Sequence, residues 1–217
     1  MEIKRKLTIS ILIKIYLVYF CCPTSCKPTE NSIQDVEGNE LQTHIKYHVF
    51  TASGGGLSLS ARDRRYPCPH NVMQETKNNT VGLSIEIFPA DHQQAIIKPS
   101  TDVNIAFLAA TVCVQPTVWR LGGVDPFTGR RYVRINGKLG GPRGAETGSS
   151  WFKIERDGGG DEGYYKMVWC PSGVDVCEDV GVFVENGRRW LGLGGDTLLL
   201  IAFKKVDPPV IVHNMYH

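Results

Sequence analysis

The chain has 217 residues, 42% of them hydrophobic, with 24 basic and 22 acidic side chains and a net charge of +2. That is enough apolar material for one sizeable core. The charges are scattered rather than gathered into a stripe, which gives nucleic-acid binding no electrostatic footing.

Residues 1–26 read separately from the rest. Lys4-Arg5-Lys6 is a short basic head, 7–20 an apolar run, and Thr24-Ser25-Cys26 a small-residue stretch. This is the pattern of a secretory signal peptide, with cleavage expected near Ser25 or Cys26. The apolar run is too short for a membrane span and contains Lys14, so no membrane partner is expected. Residues 27–217 then form a single domain with its core at about 33–206, delivered through the secretory pathway to the cell exterior or the vacuole. Loss of the leader leaves Cys68, Cys113, Cys170 and Cys177. Four cysteines allow three pairings, and without a close Cys-x-x-Cys pair they do not read as a zinc site.

From there the pattern is one of short strands. Apolar, aromatic or β-branched runs occur at 47–50, 57–59, 83–87, 103–107, 119–121, 132–135, 151–154, 164–169, 182–184, 190–193 and 198–203. Turn-rich clusters separate them at 53–56, 67–71, 122–129, 140–148 and 157–163. No window sustains a helical period. The expectation is an all-β domain, closed or sandwiched.

Several conspicuous residues have plain explanations. Gly54-Gly55-Gly56 precedes a strand and lacks the Gly-Lys-Ser/Thr of a phosphate loop, so it reads as a turn. His44 and His48 share a strand face but lack a third metal ligand. Asp157, Asp161 and Glu162 lack calcium-loop spacing and read as a hairpin tip. Arg62-Asp63-Arg64-Arg65 and Arg188-Arg189 read as solvated faces. No nucleophile elbow, HExxH or recognisable catalytic serine or cysteine is present. The chain is therefore not expected to be an enzyme, and no metal or cofactor is implied. Asn78-Asn79-Thr80 is an N-glycosylation sequon, with Asn78 the acceptor.

The stretch "YYKMVWCPSGVDVCEDVGVFV" at 164–184 is similar to a segment of the plant Kunitz-type inhibitors, the soybean trypsin inhibitor and miraculin family. "DVEGNEL", "GGGLSL", "CPHNVMQE", "STDVNIAF", "TVCVQPTVWRL", "WFKIER" and "LLLIAFKKV" resemble that family in order and spacing, from about Asp35 to Val206. The resemblance implies a β-trefoil of three four-stranded pseudo-repeats, here at 33–88, 89–148 and 149–206. It also selects the pairings Cys68–Cys113 and Cys170–Cys177.

In the resembled family a rigid exposed loop docks in a protease cleft as a substrate would, and its preorganisation limits the entropy lost on binding. Carried onto this chain, that loop comprises Phe88, Pro89, Ala90, Asp91, His92 and Gln93. Asp91 falls where trypsin-inhibiting members have Arg or Lys, and Pro89 favours an extended approach to it. A carboxylate there would face the carboxylate of a trypsin-like pocket, so trypsin is disfavoured. Thr43 stands about where the family has a loop-bracing Asn.

The resemblance thus implies a secreted endopeptidase inhibitor, a monomer acting on a serine protease without trypsin-like specificity. Phe88 or Ala90 would be read in a shifted register. A cysteine or aspartic protease is the other target class. The alternative is a non-inhibitory miraculin-like storage or defence protein, or a small-molecule binder using Trp119, Trp151, Trp169 and Trp190, which as strand aromatics otherwise belong to the core.

Overall fold

The computed structural model describes residues 32–158, 163–171 and 176–207. The leader expected at 1–26, and Asp161 and Glu162, lie outside the described residues.

The described residues form thirteen strands: β1 Tyr47–Thr51, β2 Leu57–Ser60, β3 Asn71–Gln74, β4 Ser84–Pro89, β5 Asp102–Phe107, β6 Arg120–Val124, β7 Arg131–Arg134, β8 Phe152–Arg156, β9 Tyr165–Trp169, β10 Glu178–Glu185, β11 Arg188–Leu193, β12 Thr197–Leu198 and β13 Leu200–Lys205. Six of them close on themselves. β1 pairs with β4, β4 with β5, β5 with β8, β8 with β9, β9 with β13, and β13 again with β1, all antiparallel. The remaining long strands make three hairpins, β2–β3, β6–β7 and β10–β11, which touch one another through β3–β7, β7–β11 and β11–β3 pairs. A six-stranded barrel capped by three mutually paired hairpins is a β-trefoil.

Alternation drives the barrel. In β4 the residues Ile85, Ile87 and Pro89 are buried while Ser84, Glu86 and Phe88 are only half covered, the period of a strand with one face to the core. Aromatic rings fill the centre: Phe107 packs on Trp119 at 5.1 Å between centroids, and Trp119 meets Phe152 edge-on at 6.5 Å. All four tryptophans are buried, with Trp119 at 1% exposure and Trp169 the least buried at 9%. They form part of the packed interior. A smaller cluster of Tyr132, Phe183 and Trp190, with Met73 against it, sits among the cap hairpins.

Two sequence expectations change. The three units run 47–89, 102–156 and 165–205, with β8 the fourth strand of the second and the two-residue β12 a fifth strand in the third. The expected boundary at 148–149 cut that unit one strand short. β3 is also a strand where the sequence shows mostly turn and polar residues. It forms by pairing with β2, β11 and β7, and the buried Gln74 at its end has its Nε2 amide, with two hydrogens to give, within reach of Thr51 Oγ1 (2.7 Å), Ser53 Oγ (2.8 Å) and Gly54 O (2.6 Å), partners supplied only by the fold. The Gly54–Gly56 segment is a tight turn. A Cβ on Gly56 would stand 1.8 Å from Val81 O, so only glycine fits.

Both disulfides form, Cys68–Cys113 with Cα atoms 5.5 Å apart and Cys170–Cys177 with Cα atoms 4.1 Å apart. They close loops of very different size, at sequence separations of 45 and 7. On the chain-entropy account the first restricts the unfolded chain by about 4 kcal/mol and the second by about 2.4 kcal/mol.

Candidate functional site

The connection between β4 and β5 carries the residues expected to meet a protease. Phe88 and Pro89 are not part of its exposed tip. Both are the last residues of β4, opposite Asn104 and Val103 of β5, and Pro89 is buried. Phe88 is half covered, with the His44 ring edge-on at 5.9 Å. The exposed segment starts at Ala90, two residues later than expected, because the period-two burial of β4 extends to Pro89.

Ala90, Asp91, His92 and Gln93 are all exposed. Ala90 N–H donates to Asp102 O (2.9 Å), which ties the tip to the start of β5. The Asp91 carboxylate accepts the Gln93 N–H (3.0 Å) and its carbonyl accepts the Gln94 N–H (3.0 Å). The result is a closed Asx-type turn rather than an extended strand. Beyond it, Thr43 N–H donates to Ala95 O (2.9 Å) and Ile97 N–H to Leu41 O (2.8 Å), so the far limb of the connection is sewn to the N-terminal segment.

Thr43 stands beside the connection, as its position in the sequence implied, but it contributes its backbone. The hydroxyl makes no hydrogen bond within the described residues. Its neighbour His44, at φ 61°, supplies the side-chain contact to Phe88.

The side chains that hold the turn come from elsewhere. Arg143 grips both Asp102 carboxylate oxygens, Nε to Oδ2 at 3.0 Å and an Nη to Oδ1 at 2.5 Å, and also donates to Cys170 O. Asp102 is the residue whose carbonyl holds Ala90, so this fork connects the turn to the neck of the second disulfide. Paired bonds of this kind fix direction as well as distance. Asn104, fully buried, donates to Ser150 O (2.8 Å) and accepts from Gly140 N–H (2.7 Å). Gly140, at φ 69°, lies against His92. A Cβ there would stand 3.6 Å from the imidazole. Arg143 lies outside every quoted motif and Asn104 inside "STDVNIAF", but the bracing role of each depends on partners 41 and 46 residues away.

No group of three or more His, Cys, Asp or Glu able to hold a metal ion exists among the described residues. Nor does the turn bring a nucleophile and a base together. Its chemistry is that of presentation: a short exposed segment on a barrel, fastened at both limbs and propped from the side.

A β-trefoil with a braced surface turn is a binding scaffold. The family whose model, described as trypsin and protease inhibitor of the legume Kunitz type, matches residues 33–205 is the one to which this chain belongs. An alpha-amylase/subtilisin inhibitor of Oryza sativa subsp. japonica is 37% identical over 91% of this chain and 94% of its own. Miraculin of Synsepalum dulcificum is 38% identical over 75% of this chain and 78% of its own. The solved rice bifunctional alpha-amylase/subtilisin inhibitor superposes with a TM-score of 0.61 at 36% identity, covering 81% of this chain and 98% of that one. The family is one of inhibitors rather than enzymes, whose members bind target proteases.

Proposed function

We propose that this chain inhibits a serine endopeptidase of subtilisin-like rather than trypsin-like specificity, through the Ala90–Gln93 turn. The single observation that carries this reading is the exposed pair Ala90-Asp91, held from below by the Asp102 carbonyl and its Arg143 fork. A small side chain followed by a carboxylate suits a shallow, apolar or neutral pocket. It opposes one that ends in a buried acid, where two carboxylates would meet unpaired. The rice relative, named for subtilisin inhibition, supports this target class.

The test is a titration of mature, oxidised protein against subtilisin, chymotrypsin, elastase and trypsin. Stoichiometric loss of subtilisin activity with trypsin untouched is expected. Stoichiometric inhibition of trypsin would show that another segment acts. Cysteine and aspartic proteases and an α-amylase complete the panel.

The closed turn favours one second reading, a non-inhibitory member of the miraculin kind. A substrate-like fit needs an extended segment, and opening the Asp91–Gln94 turn forfeits two hydrogen bonds, each contributing about 0.5–1.5 kcal/mol. Silence of the whole protease panel would establish that alternative. The proposal further includes secretion after loss of residues 1–26, a monomeric state and a glycan on Asn78, which is exposed in the turn closed by the Thr80 N–H to Lys77 O bond of 3.0 Å. Mass spectrometry of protein from a plant secretory host reads the leader and the glycan together.

A further inference from the structure

A cleft of about 420 Å³ opens on the cap, away from every residue of the Ala90–Gln93 turn. Tyr66, Pro69, Val124 and Pro126 give it apolar walls, and Tyr66 and Val124 are 76% and 65% exposed. Its charged lining is Arg62 and Arg134 together with Asp125 and Asp63, which pair with Arg62 and Arg65 respectively. Arg62 is fully engaged: it pairs with Asp125 and with Glu185 at 3.1 Å, and its guanidinium lies 4.1 Å above the Tyr132 ring.

Arg134 is not. Its cross-strand partner in the β6–β7 hairpin is Arg120, and like charges set directly opposite each other repel. Neither takes part in an ion pair among the described residues. The Nε atoms of both are buried and have no hydrogen-bond partner, and an unmet buried donor carries its full desolvation cost. Burial, and then the Arg120 charge, push the Arg134 guanidinium below its usual range. An oxyanion in the cleft, beside Arg134, would offset the repulsion between the two arginines, and the planar Arg134 guanidinium is shaped for that partner. The apolar walls supply what a bare inorganic ion would not need.

We propose that Arg134, backed by Arg120, takes the carboxylate of a small organic acid in the cap cleft, with Tyr66, Pro69, Val124 and Pro126 covering its apolar body. The site is independent of protease inhibition, because it shares no residue with the turn or with its Arg143 and Asn104 supports.

The experiment follows the arginine Nε–H signals of the full, oxidised protein by NMR during titration with benzoate, at constant ionic strength and with chloride as the control. Saturable shifts of the Arg134 and Arg120 signals, together with the Tyr66 ring, are expected. R134Q should weaken benzoate at least tenfold and leave protease inhibition as it was. Absence of a saturable shift in the wild-type protein overturns the proposal, whether or not R134Q folds. So does an undiminished affinity in folded R134Q. Inorganic phosphate binding as tightly as benzoate overturns the organic-acid assignment, since the walls would then contribute nothing.

Discussion

At the Ala90–Gln93 turn one arginine meets one carboxylate, and the pair holds backbone: Arg143 on Asp102, Asp102 on Ala90. On the cap, Arg62 and Arg130 share Glu185, reach Asp125 and Asp196 respectively, and lie over the rings of Tyr132 and Phe183, while Arg120 and Arg134, opposite each other, form no ion pair among the described residues. The first arrangement spends its charges on stiffness. The second leaves positive charge over, beside a cleft. The same side-chain type thus supports a presenting surface in one region and a receiving surface in the other, and its partner decides which.

The largest effect that would sharpen this contrast is at Asp91. D91R replaces the carboxylate that opposes a trypsin-like pocket, and inhibition of trypsin should improve by at least about 100-fold, or about 2.7 kcal/mol. Inhibition constants read it, and a folded but inert D91R would mean that the turn is misplaced as the contact. Next comes Asn104. N104L strands the Gly140 N–H and the Ser150 carbonyl in a buried site, at about 2–3 kcal/mol. A melting temperature roughly 5–10 °C lower is expected.

R143Q should cost about 1–2 kcal/mol, since Asp102 and Arg143 keep 27% and 19% exposure and water replaces part of the lost pair. Its larger signature is functional: inhibition should weaken more than stability, because Ala90 loses the brace behind its anchor. Equal losses of both would reduce the fork to a general stabiliser.

On the cap the expected effect is smaller and depends on pH. Burial alone would raise the Asp125 carboxyl, but the hydrogen bond from Arg62 and those from Thr128 and Phe127 outweigh it and hold the group at about 2, against 3.8. A lowered folded value means the stabilisation is complete above pH 3.8 and disappears as pH falls toward 2. After solvent screening it amounts to at most about 1 kcal/mol. Denaturation followed from pH 5 to pH 2 should show that loss in the wild-type protein and not in D125N. The smallest effect belongs to T43A, which keeps the backbone bond to Ala95 and should change stability by less than about 0.5 kcal/mol, with inhibition unaltered.

The amino-acid sequence by itself determined a good deal of this. The apolar and β-branched runs at 83–87 and 103–107 specify strands, because alternate side chains there can reach one core. The motif at 164–184 led to the family and, through it, to both disulfide pairings. Only the tertiary structure decided where β4 stops and the turn starts, that Phe88 is spent against His44, and that β3 exists at all. It also decided that Arg143, Asn104 and the Arg120–Arg134 pair matter. Each of these depends on partners distant in the chain, and a polar side chain declares its role only when the fold brings its donor or acceptor within about 3 Å.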